Sequence, residues 1–149
     1  MEKIIKKYFS DSQSELNFTD KNEFNPSANL EAITKVENEL NIKFPKDYSD
    51  FLLITNGYDG NLGQSYIQLI RVEQVVEYTE MYGGEFFPWV VYLGSDVGNE
   101  MFIIDKRENQ LQFGVIPFIG DEEDYIPLGN TFEEFLGHLY RNDYWSNKL

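Results

Sequence analysis

The spacing of hydrophobic residues along the chain predicts five helices. In each of these stretches apolar side chains recur every three or four residues, so they fall on one face of a helix. The stretches are residues 4–9, 30–40, 48–52, 72–81 and 132–139. The second stretch is the most regular, because Leu30, Ile33, Val36 and Leu40 form one apolar stripe. A polar segment, residues 10–25, separates it from the first helix.

Residues with known capping preferences predict where two of these helices begin and end. Asn25 is expected to cap the second helix, with Pro26 at its first position and Asn41 at its end. Pro45 suits the first turn of the third helix, and Gly57 ends that helix because glycine readily takes the left-handed conformation. Since few residues connect the two helices, they are expected to pack as a hairpin-like pair.

Strand patterns dominate the middle of the chain. Residues 66–70, 89–93, 101–104 and 111–118 are rich in strand-forming side chains, and turn-forming residues bound them. Consecutive strands with short connections pair antiparallel, so a sheet that is mainly a meander is expected. The last helix opens with a capping box of Thr131 and Glu134. This order predicts one α+β domain over residues 1–149, with the sheet packed against N-terminal helices and a C-terminal helix.

Composition and charge narrow the possible partners. The chain has 149 residues, 42% of them hydrophobic, which is enough for a packed core and too much for a disordered protein. Its formal net charge of −14 repels phosphate backbones and anionic lipids, so binding to nucleic acid or to a membrane surface is not expected. A cationic partner is favoured. No stretch reaches the roughly 20 apolar residues of a membrane span, and no signal peptide is evident, so a cytoplasmic location is expected.

The residues that carry catalytic or metal chemistry are few. There is no cysteine, and His138 is the one histidine, expected to be half-exposed on the last helix. The glycines at 57, 60 and 63 precede a strand pattern and do not match a phosphate-binding loop. The acidic run at 121–124 lacks the ligand alternation of an EF-hand. We therefore expect no metal, no cofactor and no catalysis, with a carboxylate-based hydrolase as the least favoured alternative.

The acidic run Asp121-Glu122-Glu123-Asp124 is the most unusual local feature. The charge is concentrated in the same half of the chain, since residues 72–149 carry 15 acidic and 4 basic side chains. That half also carries aromatic residues with polar groups, namely Tyr92, Tyr125, Tyr140, Tyr144 and Trp145. Aromatic rings beside charges are typical of protein interfaces, although a solvated loop and core rings explain the pattern equally well.

Four blocks of sequence between about residues 30 and 140 resemble the SUKH superfamily, the Smi/Knr-like domain named after fungal cell-wall regulators. The first is residues 33–40 with its glutamate, Glu37, and the second runs from Phe44-Pro45 to Asn56-Gly57. The third is residues 91–102 around a Gly-Ser-Asp turn, and the fourth is Thr131-Phe132-Glu133-Glu134-Phe135-Leu136. The chain departs from the family at Phe44, where leucine is usual, and at Val97, which replaces a glycine of the turn.

The resemblance implies an α+β fold without catalysis and, in bacteria, an immunity protein that binds and neutralises a polymorphic toxin, often a nuclease. A regulatory scaffold that binds self proteins, as in the fungal relatives, is the alternative. The acidic composition fits a basic toxin domain as the partner. Because the residues of the blocks mostly explain the fold, we expect the partner-binding residues in three polar turns, two of them between the blocks and one within the third block. They are Tyr58, Asp59, Asp96, Asn99, Glu100, Asp121, Glu122, Glu123, Asp124 and Tyr125.

Overall fold

A computed structural model describes residues 1–13 and 24–144, which form an α+β domain as predicted. Most of the predicted polar segment and Trp145 lie outside the described residues. The helices are α1 Glu2–Gln13, α2 Leu30–Leu40, α3 Lys46–Leu52, α4 Val75–Tyr82 and α5 Phe132–Arg141. The strands are β1 Tyr58–Leu62, β2 Ser65–Leu69, β3 Val90–Ser95, β4 Glu100–Asp105, β5 Gln112–Pro117 and β6 Ile126–Gly129. Among the described residues, no helix combines the length and the apolar character needed to cross a membrane.

The six strands form one antiparallel sheet in the order β1-β2-β3-β4-β5-β6, which confirms the meander. Two of the strands, β1 and β6, were not predicted. In β1 the sequence Asp59-Gly60-Asn61 is typical of a turn. Gly60 faces the interior without a side chain, so the alternation of apolar and polar residues that marks a strand is not visible in the sequence. In β6 the apolar positions are only two, Ile126 and Leu128, with Pro127 between them.

One face of the sheet packs against α1, α3 and α5 and forms the main core. Phe102 of β4 and Phe113 of β5 contact Phe135 of α5, with ring centroids 5.5 and 5.4 Å apart. At the first strand, Phe9 of α1 lies 4.7 Å from the ring of Tyr58. All five of these rings are buried, which accounts for the strong apolar stripes of α1 and α5.

The opposite face of the sheet carries α4, and we call it the α4 face. Side chains alternate between the two faces along a strand, and residues paired across strands share a face. Ile103, which is next to Phe102, pairs with Tyr92 on β3 and with Gly114 on β5, so these three lie on the α4 face. Tyr92 contacts the rings of Tyr78 and Tyr82 on α4, at 5.6 and 5.0 Å.

The start of α2 differs from the prediction. Its N-cap is Asn29, whose side chain accepts the N–H of Ala32 at 2.8 Å, and not Asn25. Asn25 instead hydrogen-bonds to residues 55 and 56, which fixes the segment before α2 to the end of α3. Leu30 is 64% exposed and leaves the apolar stripe, because the first helical position points away from the neighbouring elements. The expected end at Asn41 is confirmed by its left-handed backbone.

The expected hairpin-like pair of α2 and α3 is also wrong, because the two helices pack mainly on different elements. The main neighbours of α2 are α4 and the turn before it, whereas α3 packs on α5. Asp47 of α3 makes that second contact specific. Its two carboxylate oxygens accept the N–H groups of Phe132 and Glu133, each at 3.0 Å. These bonds supplement the predicted capping box of Thr131 and Glu134, which is confirmed.

Candidate functional site

Two of the residues predicted to bind a partner are buried in strands, so the expectation that they lie in polar surface turns is wrong. Tyr58 is 0% exposed because it lies in β1 and points into the core between Phe9 and Phe24. Glu100 is 2% exposed at the start of β4. Burial, and then the charges of the Asp96 and Glu100 carboxylates, raise the pKa of Tyr144.

Asp59 lies on the α4 face, in the part that α4 leaves open. It pairs with Gln68, which in turn pairs with Ser95, so the three side chains share this face. The Asp59 carboxylate accepts the hydroxyl of Tyr66 at 2.9 Å, and Tyr66 is 48% exposed. Strands β1 and β2 therefore present an aromatic ring and a carboxylate together on an open sheet surface.

The turn between β3 and β4 holds Asp96 and Asn99 at the end of the sheet. The Asp96 carboxylate accepts the N–H groups of Gly98 and Glu100, at 2.8 and 3.1 Å, and so fixes the turn. Val97, at the tip, has a left-handed backbone with φ of 61° and is 60% exposed. Asn99 is exposed, and its carbonyl accepts the N–H of Phe118 at 2.9 Å. That bond joins this turn to the loop after β5.

The loop between β5 and β6 carries the acidic run. Asp121, Glu122, Glu123 and Asp124 are all exposed, and the last three form a short 3-10 turn. The Asp124 carboxylate accepts the N–H of Asp121 at 2.9 Å, so the loop has a defined shape. Just before the run, Ile119 is 96% exposed. The loop thus presents four carboxylates and one aliphatic side chain to solvent.

Four aromatic rings connect α4 to this loop. Tyr78 and Tyr82 stack at 6.0 Å, and Tyr82 meets the edge of Phe118 at 5.1 Å. Tyr92 lies beneath both tyrosines and 6.4 Å from Phe118. Burial raises the pKa of Tyr92 to about 12, because the ionised phenolate would be poorly solvated in this cluster. Tyr82 is 37% exposed, and the cluster therefore forms a partly open aromatic floor beside the acidic run.

Arg107, in the turn between β4 and β5, holds the other end of the acidic loop. Its guanidinium carbon lies 3.7 Å from the centroid of the Trp89 ring. It donates to both oxygens of the buried Asp105, at 3.0 and 2.8 Å, and reaches Glu122 at 3.5 Å. The Tyr125 ring lies 5.3 Å from Trp89 and 5.7 Å from Arg107. Tyr125 is thus half-buried and supports the loop, and its role in binding a partner stays a prediction.

Sequence reasoning missed the role of Arg107, which lies in a run of polar turn residues. A basic side chain in such a turn is usually solvated, and nothing in the local pattern indicates a ring above it. The one available signal was its position two residues after Asp105, at the end of a strand. The stacked guanidinium and its two carboxylate partners show that the turn between β4 and β5 supports the acidic loop.

The remaining charged residues of interest have structural partners. Glu37 is buried, and its carboxylate accepts the N–H of Phe44 at 2.7 Å, which ties the end of α2 to the segment before α3. His138 is half-buried on α5, as predicted, with its Nδ1 2.8 Å from Asp143.

A groove of about 370 Å³ between α2 and α4 is lined by exposed carboxylates, including Glu77 and Glu80. A groove of exposed carboxylates suits charge recognition better than acid–base chemistry, which uses desolvated groups.

Most of this chain matches the sequence model of a known protein family. The model of the SMI1 / KNR4 family (SUKH-1) matches residues 27–138. The uncharacterized protein YnaB of Bacillus subtilis (strain 168) is 30% identical over 131 residues, which cover 82% of this chain and 85% of that protein. The matched range includes both loops that border the α4 face and all strands of the sheet.

Proposed function

The chain belongs to the SMI1 / KNR4 family (SUKH-1), as its sequence resemblance predicted, and from that premise we propose that it is a non-catalytic immunity protein. In this proposal it binds a cognate polymorphic toxin domain, of the nuclease type, and neutralises it by covering its active surface. The observation that carries the proposal is the α4 face, where exposed carboxylates surround aromatic and aliphatic side chains. That combination is typical of surfaces that bind proteins.

The sign of the charge supports a basic partner. The chain carries a formal net charge of −14, and the exposed run from Asp121 to Asp124 places four of its carboxylates at one end of the α4 face. A nuclease must hold phosphates and therefore has a basic surface, which an acidic protein can occupy in place of the substrate. Such a complex would bury on the order of 1,600 Å² in total. Inhibition then needs one bound inhibitor for each toxin molecule, and no chemical step is involved. In this proposal the two proteins meet in the cytoplasm.

The rigid support of the loops favours binding without rearrangement. The Asn99 carbonyl bonds to the N–H of Phe118, and Glu122 contacts Arg107, so the acidic loop is fixed at both ends. A surface whose shape is already set loses little conformational entropy when a partner binds. The buried carboxylates of Glu37 and Asp105 make hydrogen bonds that hold the fold, and this does not support the alternative of a hydrolase.

Co-expression tests the proposal. The protein encoded by the gene adjacent to this one is expressed alone and together with this chain, followed by pull-down and by a growth assay. We expect the neighbour to be toxic alone, harmless with this chain, and recovered with it in a one-to-one complex. If the neighbour does not bind, or if a complex forms and toxicity persists, the immunity function is wrong. Recovery of a host protein in its place would favour the regulatory scaffold.

The acidic loop can then be tested by charge reversal. Glu123 is the best single position, because it is exposed and its side chain has no described role in the shape of the loop. We expect Glu123→Lys to slow association roughly two- to tenfold at low salt and to flatten the dependence of the association rate on salt. Reversal of all four residues from Asp121 to Asp124 should have a larger effect. Glu2→Lys on α1, on the opposite side of the sheet, is the matched control.

An unchanged salt dependence in the Glu123 and four-residue variants would exclude the acidic loop from the interface. An equal change in the Glu2→Lys control would show that total charge, and not this loop, sets the association rate.

A further inference from the structure

Two exposed aliphatic side chains lie at the junction of the two loops that border the α4 face. Val97 is two residues before Asn99, Ile119 directly follows Phe118, and a hydrogen bond of 2.9 Å connects Asn99 to Phe118. Val97 is 60% exposed and Ile119 is 96% exposed. Consecutive Cα atoms are about 3.8 Å apart, so three steps along the chain and this one hydrogen bond connect Val97 to Ile119 at the same end of the sheet.

The backbone at Val97 is strained, and the hydrogen bonds of its turn do not require valine there. A φ of 61° is in the left-handed region, which disfavours β-branched residues in particular. The hydrogen bonds of the turn are made by the Val97 N–H to Ser95 and by the Asp96 carboxylate, so glycine or asparagine at position 97 would keep them. The exposed valine side chain does not offset the strain by burial. Strain of this kind persists where a side chain serves a function outside the fold.

Charge surrounds this pair of aliphatic residues. Asp96 precedes Val97, and the run that begins at Asp121 starts two residues after Ile119. A second copy of this chain is a poor occupant because two such acidic surfaces repel each other. A basic protein surface with apolar depressions fits both features, since its cations meet the carboxylates and its depressions accept the aliphatic groups.

We propose that Val97 and Ile119 are paired apolar anchors that insert into the surface of the basic toxin partner. This inference rests on the proposed function and adds to it a division of roles. The carboxylates of the loop accelerate association, whereas the two anchors slow dissociation, because they are the side chains that lose water when the complex forms.

The test measures stability and binding for the same set of variants. The probe is the toxin domain encoded beside this gene, made as a catalytically inactive protein, and its Kd is measured for Val97→Asn, Val97→Gly and Ile119→Ala. Leu30→Ala is the matched control, since Leu30 is 64% exposed at the start of α2. We expect each anchor variant to weaken binding by about tenfold through faster dissociation, and the control to stay within about twofold.

The free domain responds differently at the two positions. Val97→Asn relieves the left-handed strain and should raise the Tm by about 2–5 °C. Val97→Gly should raise it less, because glycine gains entropy in the unfolded chain. Ile119→Ala should leave the Tm unchanged. If Val97→Asn raises the Tm and weakens binding, Val97 lowers the stability of the free domain and is required for binding the partner.

Each outcome assigns success or failure to a specific claim. If the wild-type protein binds the toxin domain and all anchor variants bind like the Leu30→Ala control, the anchors are wrong and the immunity function stands. If the wild-type protein does not bind, the proposed function fails, and the anchors fail with it. If light scattering shows a dimer that Ile119→Ala dissociates, a second copy is the occupant and the inference is overturned.

Discussion

Removal of the Arg107 side chain should destabilise the domain substantially, although the residue lies in a surface turn. Arg107→Ala removes two charge-assisted hydrogen bonds to Asp105, whose side chain is only 8% exposed, and leaves that carboxylate buried without its cation. Bonds of this kind contribute about 1.5–3 kcal/mol to stability. The stacking on Trp89, at 3.7 Å, adds about 0.5–2 kcal/mol. The pair with Glu122 adds less than about 1 kcal/mol, because the Glu122 side chain is 65% exposed.

These contributions do not add fully, since the Arg107 side chain is 36% exposed and its charge is partly screened by water. We therefore expect Arg107→Ala to lower the free energy of unfolding by about 2–3 kcal/mol, measured by urea denaturation followed by circular dichroism. Arg107→Lys keeps the charge but not the fork or the flat stacking surface, and it should recover less than half of the loss. Glu122→Ala is the control for the exposed partner and should cost less than about 0.5 kcal/mol.

A double-mutant cycle identifies the cause. With Asp105→Ala and Arg107→Ala combined, the loss should be smaller than the sum of the single losses by about 1–2 kcal/mol, because the second change removes a group whose partner is already absent. Strict additivity would refute the claim that this ion pair holds the turn. A loss below about 0.5 kcal/mol for Arg107→Ala would refute the estimate as a whole.

Three further predictions concern the fold around the site. Asp47→Ala removes both acceptors at the start of α5 and should lower the free energy of unfolding by about 1–2 kcal/mol, measured by thermal unfolding. The control Asp50→Ala loses one surface ion pair and should cost less than about 0.5 kcal/mol. Equal losses in the two variants would contradict the capping role of Asp47. Gly94→Ala places a methyl carbon well inside van der Waals contact distance of the Gln68 carbonyl oxygen on β2, and it should prevent soluble expression or cost about 3 kcal/mol or more. Gly98→Ala meets the half-buried Asp96 carboxylate at 3.3 Å and should be mild. The pKa of Tyr92 is raised to about 12 in the folded state and is near 10 in the unfolded state, so its contribution to stability is complete below pH 10 and is lost as the pH rises from 10 to 12. Tyr92→Phe should reduce this alkaline loss by up to about 1.4 kcal/mol per pH unit, measured by urea unfolding between pH 9 and 11, and an identical pH dependence would contradict the role of burial.

Elements with a continuous apolar pattern were predictable from the sequence, and those without one were not. The stripe of α5 and its capping box are local features, and both were correct. The cap of α2 was placed at Asn25, because Asn25-Pro26 satisfies the local rule as well as Asn29 does. The choice between them depends on residues 55 and 56, which are distant in sequence and close in space.

The candidate site was predictable in part for a similar reason. A run of four carboxylates is solvated almost wherever it lies, so the exposure of Asp121 to Asp124 followed from composition. Tyr58 and Glu100 are each adjacent to turn-forming residues, but they occupy inward positions of strands, which only the pairing register determines. The clamp of Arg107 on Trp89 joins residues from two separate connections, and no sequence spacing encodes it.

The division of the sheet into two faces has a consequence for how this protein can vary. The aromatic rings that hold the domain together, such as Phe113 and Phe135, lie on the side of α1, α3 and α5, whereas Val97, Ile119 and the carboxylates project from connections at the sheet's end. Substitutions in those two connections alter shape and charge without touching the interior. The same framework could therefore acquire a new target by changing about a dozen positions, while the rest of the chain keeps its packing.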